Sequence, residues 1–267
     1  MSWFLFLLIF YFGACTGSFL NVVILRLPKN EPLTGRSHCL CCRHVLSFLE
    51  LIPLFSFLFL KRKCKVCKTA ISWRYFTIEL MTAFLFLITY LIQQPHILFD
   101  YLFYLKSIIL VLALVVVFVI DLEHFLILDK VLVAFGLPLL VLNLTLDKLD
   151  HQALFSLISL TTGGLFSAFV FSSAFFLLWL VSKGLWIGLG DVKLMLFLGI
   201  ALGWPNTLIC WFLAFVLGTI YALPLLVLGK KKLTSKVPFG VFLSLSALIC
   251  LYAGRSILGW YLSFLGF

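Results

Sequence analysis

The chain has 267 residues, of which 64% are hydrophobic and 11% are charged, and its net charge is +10. Soluble globular chains carry roughly 45–50% apolar and about 25% charged residues, so this composition excludes an ordinary soluble domain. It also argues against nucleic acid as a partner, because no soluble basic face remains to hold a duplex. We expect the lipid bilayer to surround most of the chain.

Apolar runs occur along the whole sequence, and a run of about 20 residues is long enough to span the ~30 Å hydrocarbon core of a bilayer. We predict seven long helices and a shorter eighth one, which ends before Pro205 because proline cannot continue a helix. The long helices are predicted at 3–25, 76–93, 104–122, 131–146, 153–182, 206–228 and 238–262, and the short one at 193–204. The predicted fold class is an all-α polytopic membrane protein with about eight transmembrane helices.

The distribution of basic residues predicts the orientation of these helices. No lysine or arginine precedes Arg26, unlike in a signal peptide, so we expect a retained first helix. With the N-terminus outside, the inside loops hold every lysine and arginine except Lys106, Lys148 and Arg255. Inside loops of membrane proteins are rich in basic residues, so this orientation is favoured. It places Asp121 and Asp191 at the cytoplasmic boundary of the membrane.

Five of the eight cysteines lie in the first inside loop. Cys39 and Cys42 form one C-x-x-C pair, and Cys64 and Cys67 form another, at a spacing close to that of a zinc ribbon. Four thiolates would close a tetrahedral coordination sphere, so the predicted zinc ion is structural. A reducing compartment argues against disulfides in this loop. Cys41 could replace a neighbouring ligand, so the ligand assignment stays open at that position.

Two aspartates interrupt apolar sequence. Asp121 follows the apolar run 108–120, and Asp191 ends the segment Gly188-Leu-Gly190-Asp191. An ionisable residue at membrane depth indicates function, and the two glycines would allow another segment to approach closely. Two carboxylates in one low-dielectric site share a proton, which suits activation of a water molecule and protonation of a leaving amide. Asp129 is a candidate supporting residue.

These residues alone leave three functions open. The first is an aspartic protease, and the second is a proton-coupled transporter that uses Asp121 and Asp191 as a relay. The third is structural pairing, in which Lys193 neutralises Asp191 or Lys130 neutralises Asp129, as in a zinc-stabilised assembly factor without catalysis.

Several motifs in chain order decide between these functions. Through them the chain resembles the bacterial prepilin peptidases, also called type IV leader peptidases, a branch of the G-x-G-D intramembrane aspartic proteases. The segments that carry the resemblance are Gly17–Ile24 with Arg26-Leu-Pro28, the two cysteine pairs around Ile52-Pro53-Leu54, Arg74-Tyr75, Glu79-Leu80, Ile120–Ile127, Gly188–Leu194 and Pro238-Phe-Gly240.

The resemblance implies an enzyme with Asp121 and Asp191 as the catalytic pair, supported by Gly188, Gly190 and Asp129. Its implied substrates are prepilins or pseudopilins, whose short basic leader is cut after a glycine on the cytoplasmic face of the bacterial inner membrane. The resemblance also implies a methyltransferase-like region over residues 1–100 and a peptidase domain over residues 101–267. The methyl donor of the family is S-adenosylmethionine, and it methylates the new N-terminus.

Two positions depart from the family pattern. Leu128 precedes Asp129 where the family often has proline, and we expect this to alter only a helix end. Arg62 stands two residues before the third loop cysteine, where the family often has glycine. Because arginine lacks the backbone freedom of glycine, we expect this departure to affect methyl transfer more than cleavage.

Overall fold

A computed structural model describes residues 3–150, 159–229, 237–264 and 266 of the chain. The described residues are almost entirely helical and divide into two compact units, Met1–Gln94 and Pro95–Phe267. Seven of their helices are long and apolar enough to cross a membrane. The prediction of a polytopic all-α membrane protein is confirmed.

Unit 1 is a pair of long helices that flank the cysteine-rich loop. Helices α1 (Trp3–Arg26) and α3 (Trp73–Gln93) pack against each other, and the short helix α2 (Phe55–Phe59) lies in the loop between them. The packing is close because Gly13 and Gly17 of α1 face α3. A Cβ atom on either glycine would lie 2.8 Å from a backbone atom of α3.

The loop of unit 1 has a small apolar core of its own. Phe57 of α2 is buried, and its ring centroid lies 5.1 Å from those of Trp73 and Phe76. Helix α3 begins at Trp73, three residues before the predicted start, because the Ser72 hydroxyl accepts a hydrogen bond from the Arg74 amide. The loop is thereby attached directly to the start of α3.

Unit 2 contains the remaining helices, packed around α4. In chain order they are α4 (Leu98–His124), α5 (Asp129–Leu149), α6 (Leu160–Ser182), α7 (Leu189–Leu202), α8 (Asn206–Val227) and α9 (Phe239–Phe264). Helix α4 packs on α5 and α9, and α7 packs on α5, α6 and α9. The first part of the predicted helix 153–182 lies outside the described residues, as do Lys230, Lys231, Lys232 and Lys236.

The short helix α7 is an internal element of unit 2. Its 14 residues span about 21 Å, less than the ~30 Å of a bilayer core. Leu194, Met195 and Leu198 are fully buried. Gly199 packs directly against the backbone of Ala168 in α6, so α6 and α7 lie in close contact. Neighbouring helices therefore surround α7, which carries Asp191 at its first turn.

Lys106, which the charge distribution predicts to lie outside the membrane, is buried in unit 2 together with Asp147. Lys106 of α4 and Asp147 of α5 are 5% and 2% exposed and interact electrostatically. The Asp147 carboxylate also accepts hydrogen bonds from the amides of Leu160 and Thr161, both at 2.8 Å. It therefore caps the first turn of α6 as well as facing Lys106.

Candidate active site and metal centre

Asp121 lies in the last turn of α4 and is buried, with 5% of its surface exposed. Its Oδ2 atom accepts a hydrogen bond of 3.1 Å from the amide of Val241, the third residue of α9. The first amides of a helix have no partner inside the helix, and the helix dipole favours a negative charge there. Asp121 is thus held at the positive end of α9.

Asp191 is the third residue of α7 and is 9% exposed. Its Oδ2 atom accepts a hydrogen bond of 3.1 Å from the Gly188 amide, and its own amide donates to the Gly188 carbonyl at 3.1 Å. Gly188 therefore orients the carboxylate at the start of α7. Both carboxylates therefore lie at the N-terminal end of a helix: Asp121 belongs to α4 but binds the first turn of α9, and Asp191 belongs to the first turn of α7 itself.

The fold of unit 2 brings the two carboxylates together. They are close enough for the charge of Asp121 to act on Asp191. Among the described residues, neither lies within 4.0 Å of a lysine, arginine or histidine nitrogen. Two unneutralised carboxylates at short range cannot both ionise at low cost, so such a pair retains one proton. This is the electrostatic arrangement of an acid and a base in one site.

Ile127, in the turn between α4 and α5, packs against the first turns of α7 and α9. A Cβ atom added to Gly190 of α7 would lie 3.1 Å from Cβ of Ile127, and one added to Gly240 of α9 would lie 3.1 Å from its Cδ1. A Cβ on Gly240 would also lie 2.8 Å from Oδ2 of Asp121. Glycine at 190 and 240 is what allows Ile127 and the Asp121 carboxylate to fit beside the two helix ends.

Asp129, unlike the buried pair, is exposed and bound to a lysine. It is the first residue of α5, and both of its carboxylate oxygens accept hydrogen bonds from Lys193 Nζ, at 2.9 and 2.8 Å. The two side chains are 62% and 49% exposed. Lys193 therefore pairs with Asp129 rather than with Asp191. Nearby, Glu123 and His124 form an exposed pair at 3.9 Å.

The sequence alone assigned no role to Ile127 or Gly240, and the predicted pairing of Lys193 with Asp191 is wrong, because Lys193 reaches Asp129 across the packed helices instead. Gly240 lies in Pro238-Phe-Gly240, one of the motifs that carry the family resemblance, but the motif does not show that this glycine packs against Asp121. Ile127 is the last residue of the motif Ile120–Ile127. Its contacts depend on how α7 and α9 pack, so neighbouring residues in the sequence do not predict them.

The four cysteines of the two C-x-x-C pairs form one cluster in unit 1. Their sulfur atoms all lie within 4.8 Å of one another, and the described residues place no other cysteine in the group. The Cys39–Cys67 and Cys42–Cys64 sulfur distances are 3.7 and 3.9 Å. A tetrahedral zinc ion with Zn–S bonds of about 2.3 Å sets its ligands roughly 3.8 Å apart. The cluster is placed to bind a metal ion, and Cys41 lies outside it.

The two halves of the metal centre have the same backbone geometry. The Cys39 amide donates to the carbonyl five residues later, at 2.9 Å, and the Cys64 amide does the same at 2.9 Å. Arg43 and Lys68, each four residues after the first cysteine of its pair, have φ of 56° and 58°. A left-handed residue at this position turns the chain so that both thiols of a pair face one point.

The environment of the thiols also suits a metal. Hydrogen bonds from the hydroxyl and the amide of Thr69 lower the pKa of Cys67 to about 6. The His44 amide acts in the same direction on Cys42, but desolvation and the neighbouring thiols together raise the pKa of Cys42 to about 12. A cation removes the mutual repulsion of the thiolates, so metal binding would release protons from the cluster.

Arg62 adopts the conformation that glycine would favour. Its φ is 61°, and that of Lys61 is 49°. The Arg62 carbonyl accepts a 2.7 Å hydrogen bond from the Ile71 amide, and its guanidinium carbon lies 5.0 Å from the ring centroid of Trp73. The loop therefore keeps a left-handed turn next to Cys64 although the residue there is arginine.

Two protein-family models match the chain, one inside unit 1 and one inside unit 2. Residues 11–93 match the model of the bacterial peptidase A24 N-terminal domain, and residues 108–223 match that of the type IV leader peptidase family. The chain is 32% identical to a prepilin leader peptidase/N-methyltransferase of Aeromonas salmonicida strain A449, over 98% of this chain and 96% of the relative.

Two further relatives carry the same name. The protein from Pseudomonas aeruginosa is 33% identical over 96% of this chain and 92% of its own length, and that from Bacillus subtilis strain 168 is 28% identical over 96% and 97%. No solved structure matches the chain. With a relative above 30% identity over nearly the full length of both proteins, the chain belongs to the type IV leader peptidase family.

Proposed function

We propose that the chain is a membrane-bound aspartic endopeptidase that removes the leader peptide of prepilins or pseudopilins, with Asp121 and Asp191 as its catalytic pair. One observation carries the proposal: two buried carboxylates from different helices interact electrostatically in a protein of the type IV leader peptidase family. The names of the relatives supply the substrate class.

The hydrogen bonds of the pair support different roles for its two members. The amides of Gly240 and Val241 both donate hydrogen bonds to Asp121, whereas only the Gly188 amide donates one to Asp191. Hydrogen bonds to a carboxylate favour its charged form. Asp121 is therefore proposed as the base that takes a proton from the attacking water, and Asp191 as the acid that protonates the leaving amine.

The proposal includes a side of the membrane. The basic residues of the loop regions favour a cytoplasmic position for the active site and for the cysteine loop, in a bacterial inner membrane. A cytoplasmic site would accept substrates before their export. The metal ion of the loop is proposed to be zinc in a structural role, because four cysteine ligands leave no open coordination position.

Methylation of the new N-terminus is proposed as a second activity, located in unit 1, and it rests on the names of the relatives. The family implies S-adenosylmethionine, which would supply the methyl group. Among the described residues, unit 1 has no glycine-rich turn between a strand and a helix, and we assign none of its residues to this cofactor.

The cleavage proposal is tested with purified full-length protein in nanodiscs and a prepilin substrate, followed by mass spectrometry of the product. Asp121→Asn and Asp191→Asn should each reduce cleavage by about 100-fold or more, the usual size of general acid–base effects. Asp150→Asn, at an exposed aspartate of unit 2, is the matched control and should cleave normally. Cleavage at the wild-type rate in a folded Asp121→Asn or Asp191→Asn variant would refute the assignment.

A further inference from the structure

The short helix α2 of the cysteine-rich loop is apolar on its outer face as well as on its inner one. Phe57 on the inner face is buried against Trp73, the first residue of α3. Phe55, Leu58 and Phe59 share the outer face, because residues three and four apart lie on one side of a helix. The rings of Phe55 and Phe59 stack with their centroids 6.5 Å apart, and Phe59 is 82% exposed. The outer face of α2 therefore exposes three large apolar side chains.

The turn before α2 extends this surface. Residues Phe48–Leu51 form one turn of 3₁₀ helix that packs against α2, and both Phe48 and Leu49 are exposed. Patches of large exposed apolar side chains mark surfaces that bind a protein, a membrane or a ligand. We call this surface the apolar loop face, and it consists of Phe48, Leu49, Phe55, Leu58 and Phe59.

Two contacts fix the level of α2 along the membrane-crossing helix α3. Phe57 lies beside Trp73, a half-exposed tryptophan at the start of the span, and tryptophans concentrate at the membrane–water interface. The amide of Leu54, the residue before α2, donates a 2.8 Å hydrogen bond to Oε2 of Glu79, which also hydrogen-bonds to Ser18 of α1. Glu79 lies about 9 Å further into α3 than Trp73. The start of α2 is therefore level with residues inside the span, at the ~5–10 Å depth that interfacial helices reach.

Basic side chains follow the apolar loop face in the sequence. Residues 29–72 contain eight lysines and arginines but only two acidic residues. An apolar surface bordered by lysines complements anionic phospholipid, because the acyl chains surround the apolar side chains and the phosphates attract the ammonium groups. Four exposed lysines come directly after α2, namely Lys61, Lys63, Lys65 and Lys68.

We propose that the apolar loop face is a docking surface for the lipid bilayer, with its phenylalanines below the head groups and the four lysines against lipid phosphates. Charge and depth both favour lipid over a protein partner. The lysines match anionic head groups, and the contacts with Trp73 and Glu79 place α2 where lipid already surrounds α1 and α3. Docking would hold the cysteine cluster at the membrane surface, and this inference does not depend on prepilin cleavage.

Photo-cross-linking of the full-length protein in nanodiscs identifies what covers this face. Benzoylphenylalanine in place of Phe59 reacts with whatever lies within reach of that side chain, and mass spectrometry of the digested protein identifies the adduct. We expect lipid adducts there, and also in a second variant with the same group in place of Leu58. Benzoylphenylalanine in place of Glu31, an exposed loop residue outside the apolar loop face, should give about tenfold fewer, because acyl chains lie out of its reach.

The lysines are tested in nanodiscs that contain equal amounts of phosphatidylglycerol and phosphatidylcholine. Adducts at position 59 should contain about fivefold more phosphatidylglycerol than phosphatidylcholine, the factor for one lysine near an anionic surface. Lys61→Gln with Lys63→Gln should bring this ratio close to that of the lipid mixture. Lys148→Gln, at an exposed lysine of unit 2, is the control and should leave the ratio unchanged.

Three outcomes would overturn the proposal. The first is adducts at position 59 to another segment of the chain or to a second copy in place of lipid, since a protein surface would then cover the face. The second is equal lipid labelling at positions 31 and 59. The third is an absence of preference for phosphatidylglycerol, or a preference that survives in the lysine double variant. None of these readouts depends on prepilin cleavage, so a failure of the proposed function would leave the inference standing.

Discussion

Lys193 donates hydrogen bonds to both carboxylate oxygens of Asp129, at 2.9 and 2.8 Å, although it lies only two residues from Asp191 in the sequence. This pair joins Lys193, the fifth residue of α7, to the first residue of α5. It leaves Asp191 without a neutralising cation among the described residues. The exposed Asp129 is therefore paired with the lysine, and the buried Asp191 faces the carboxylate of Asp121.

We expect the Asp129–Lys193 pair to contribute little to stability or cleavage. Exposed ion pairs are worth about 0–1 kcal/mol, because water screens the charges and the side chains lose freedom. Asp129→Asn and Lys193→Gln, alone and together, should give a coupling free energy in that range in a double-mutant cycle of detergent-solubilised protein. Cleavage should stay within about threefold. A loss in Asp129→Asn as large as that in Asp121→Asn would contradict this prediction and show that Asp129 takes part in cleavage.

Gly240→Ala should impair cleavage. The new Cβ atom would lie 2.8 Å from Oδ2 of Asp121 and 3.1 Å from Cδ1 of Ile127, so the carboxylate or the turn must move. A displaced catalytic group costs about 100-fold in rate. Gly218→Ala is the matched control, since its Cβ would meet only ordinary contacts of 3.7 Å or more. The rate constant for prepilin cleavage is the measurement, and equal rates in the two variants would contradict the packing.

Arg62→Gly should stabilise the metal loop relative to Arg62→Ala. Both variants lose the contact with Trp73, but only glycine adopts the left-handed conformation of this position without a cost of about 1 kcal/mol. The rate of zinc release to a chelator reports the difference, and we expect release from the glycine variant to be about fivefold slower. Faster zinc release from Arg62→Gly than from Arg62→Ala would show that the left-handed backbone at position 62 does not control the stability of the metal loop.

Removal of one ligand should empty the metal centre. Cys64→Ser leaves three thiolates, and we expect the zinc content of protein purified without chelator to fall from about one ion per chain to nearly none. Cys41→Ser is the control, because Cys41 is exposed and its sulfur is outside the cluster. If Cys41→Ser lowered zinc content as much as Cys64→Ser, the ligand set would have to include Cys41.

The buried pair of Lys106 and Asp147 should be essential for the stability of unit 2. Asp147→Asn removes the negative charge that acts on the buried Lys106, and leaving a buried charge uncompensated costs several kcal/mol. Thermal unfolding in detergent measures the loss. The double variant Lys106→Met with Asp147→Asn should recover part of it, because no uncompensated charge remains. A double variant less stable than Asp147→Asn would argue against electrostatic pairing.

Much of the fold follows from local sequence. Long apolar runs predict the helices because each must bury or shield its backbone polar groups in a bilayer. The starts of α3, α4, α5 and α7 lie two to six residues before the predicted ones, so that Asp191 is inside α7. At α3 and α4 polar residues at the first turn extend the helix beyond its apolar run: Ser72 accepts the Arg74 amide, and Asp100 accepts the Ile97 amide. The C-x-x-C spacing likewise predicted a four-cysteine cluster, since each pair forms its own turn.

The sequence by itself determined which residues are candidates: two aspartates bounded by apolar sequence and four cysteines at metal-binding spacing. Only the tertiary structure decided their partners. Asp121 and Asp191 are 70 positions apart in the chain, and whether either meets the other, Asp129 or Lys193 depends on how α4, α7 and α9 pack. The same holds for Glu79, whose neighbours come from α1 and from the loop. Charge pairing over such separations is set by helix packing, which no local pattern encodes.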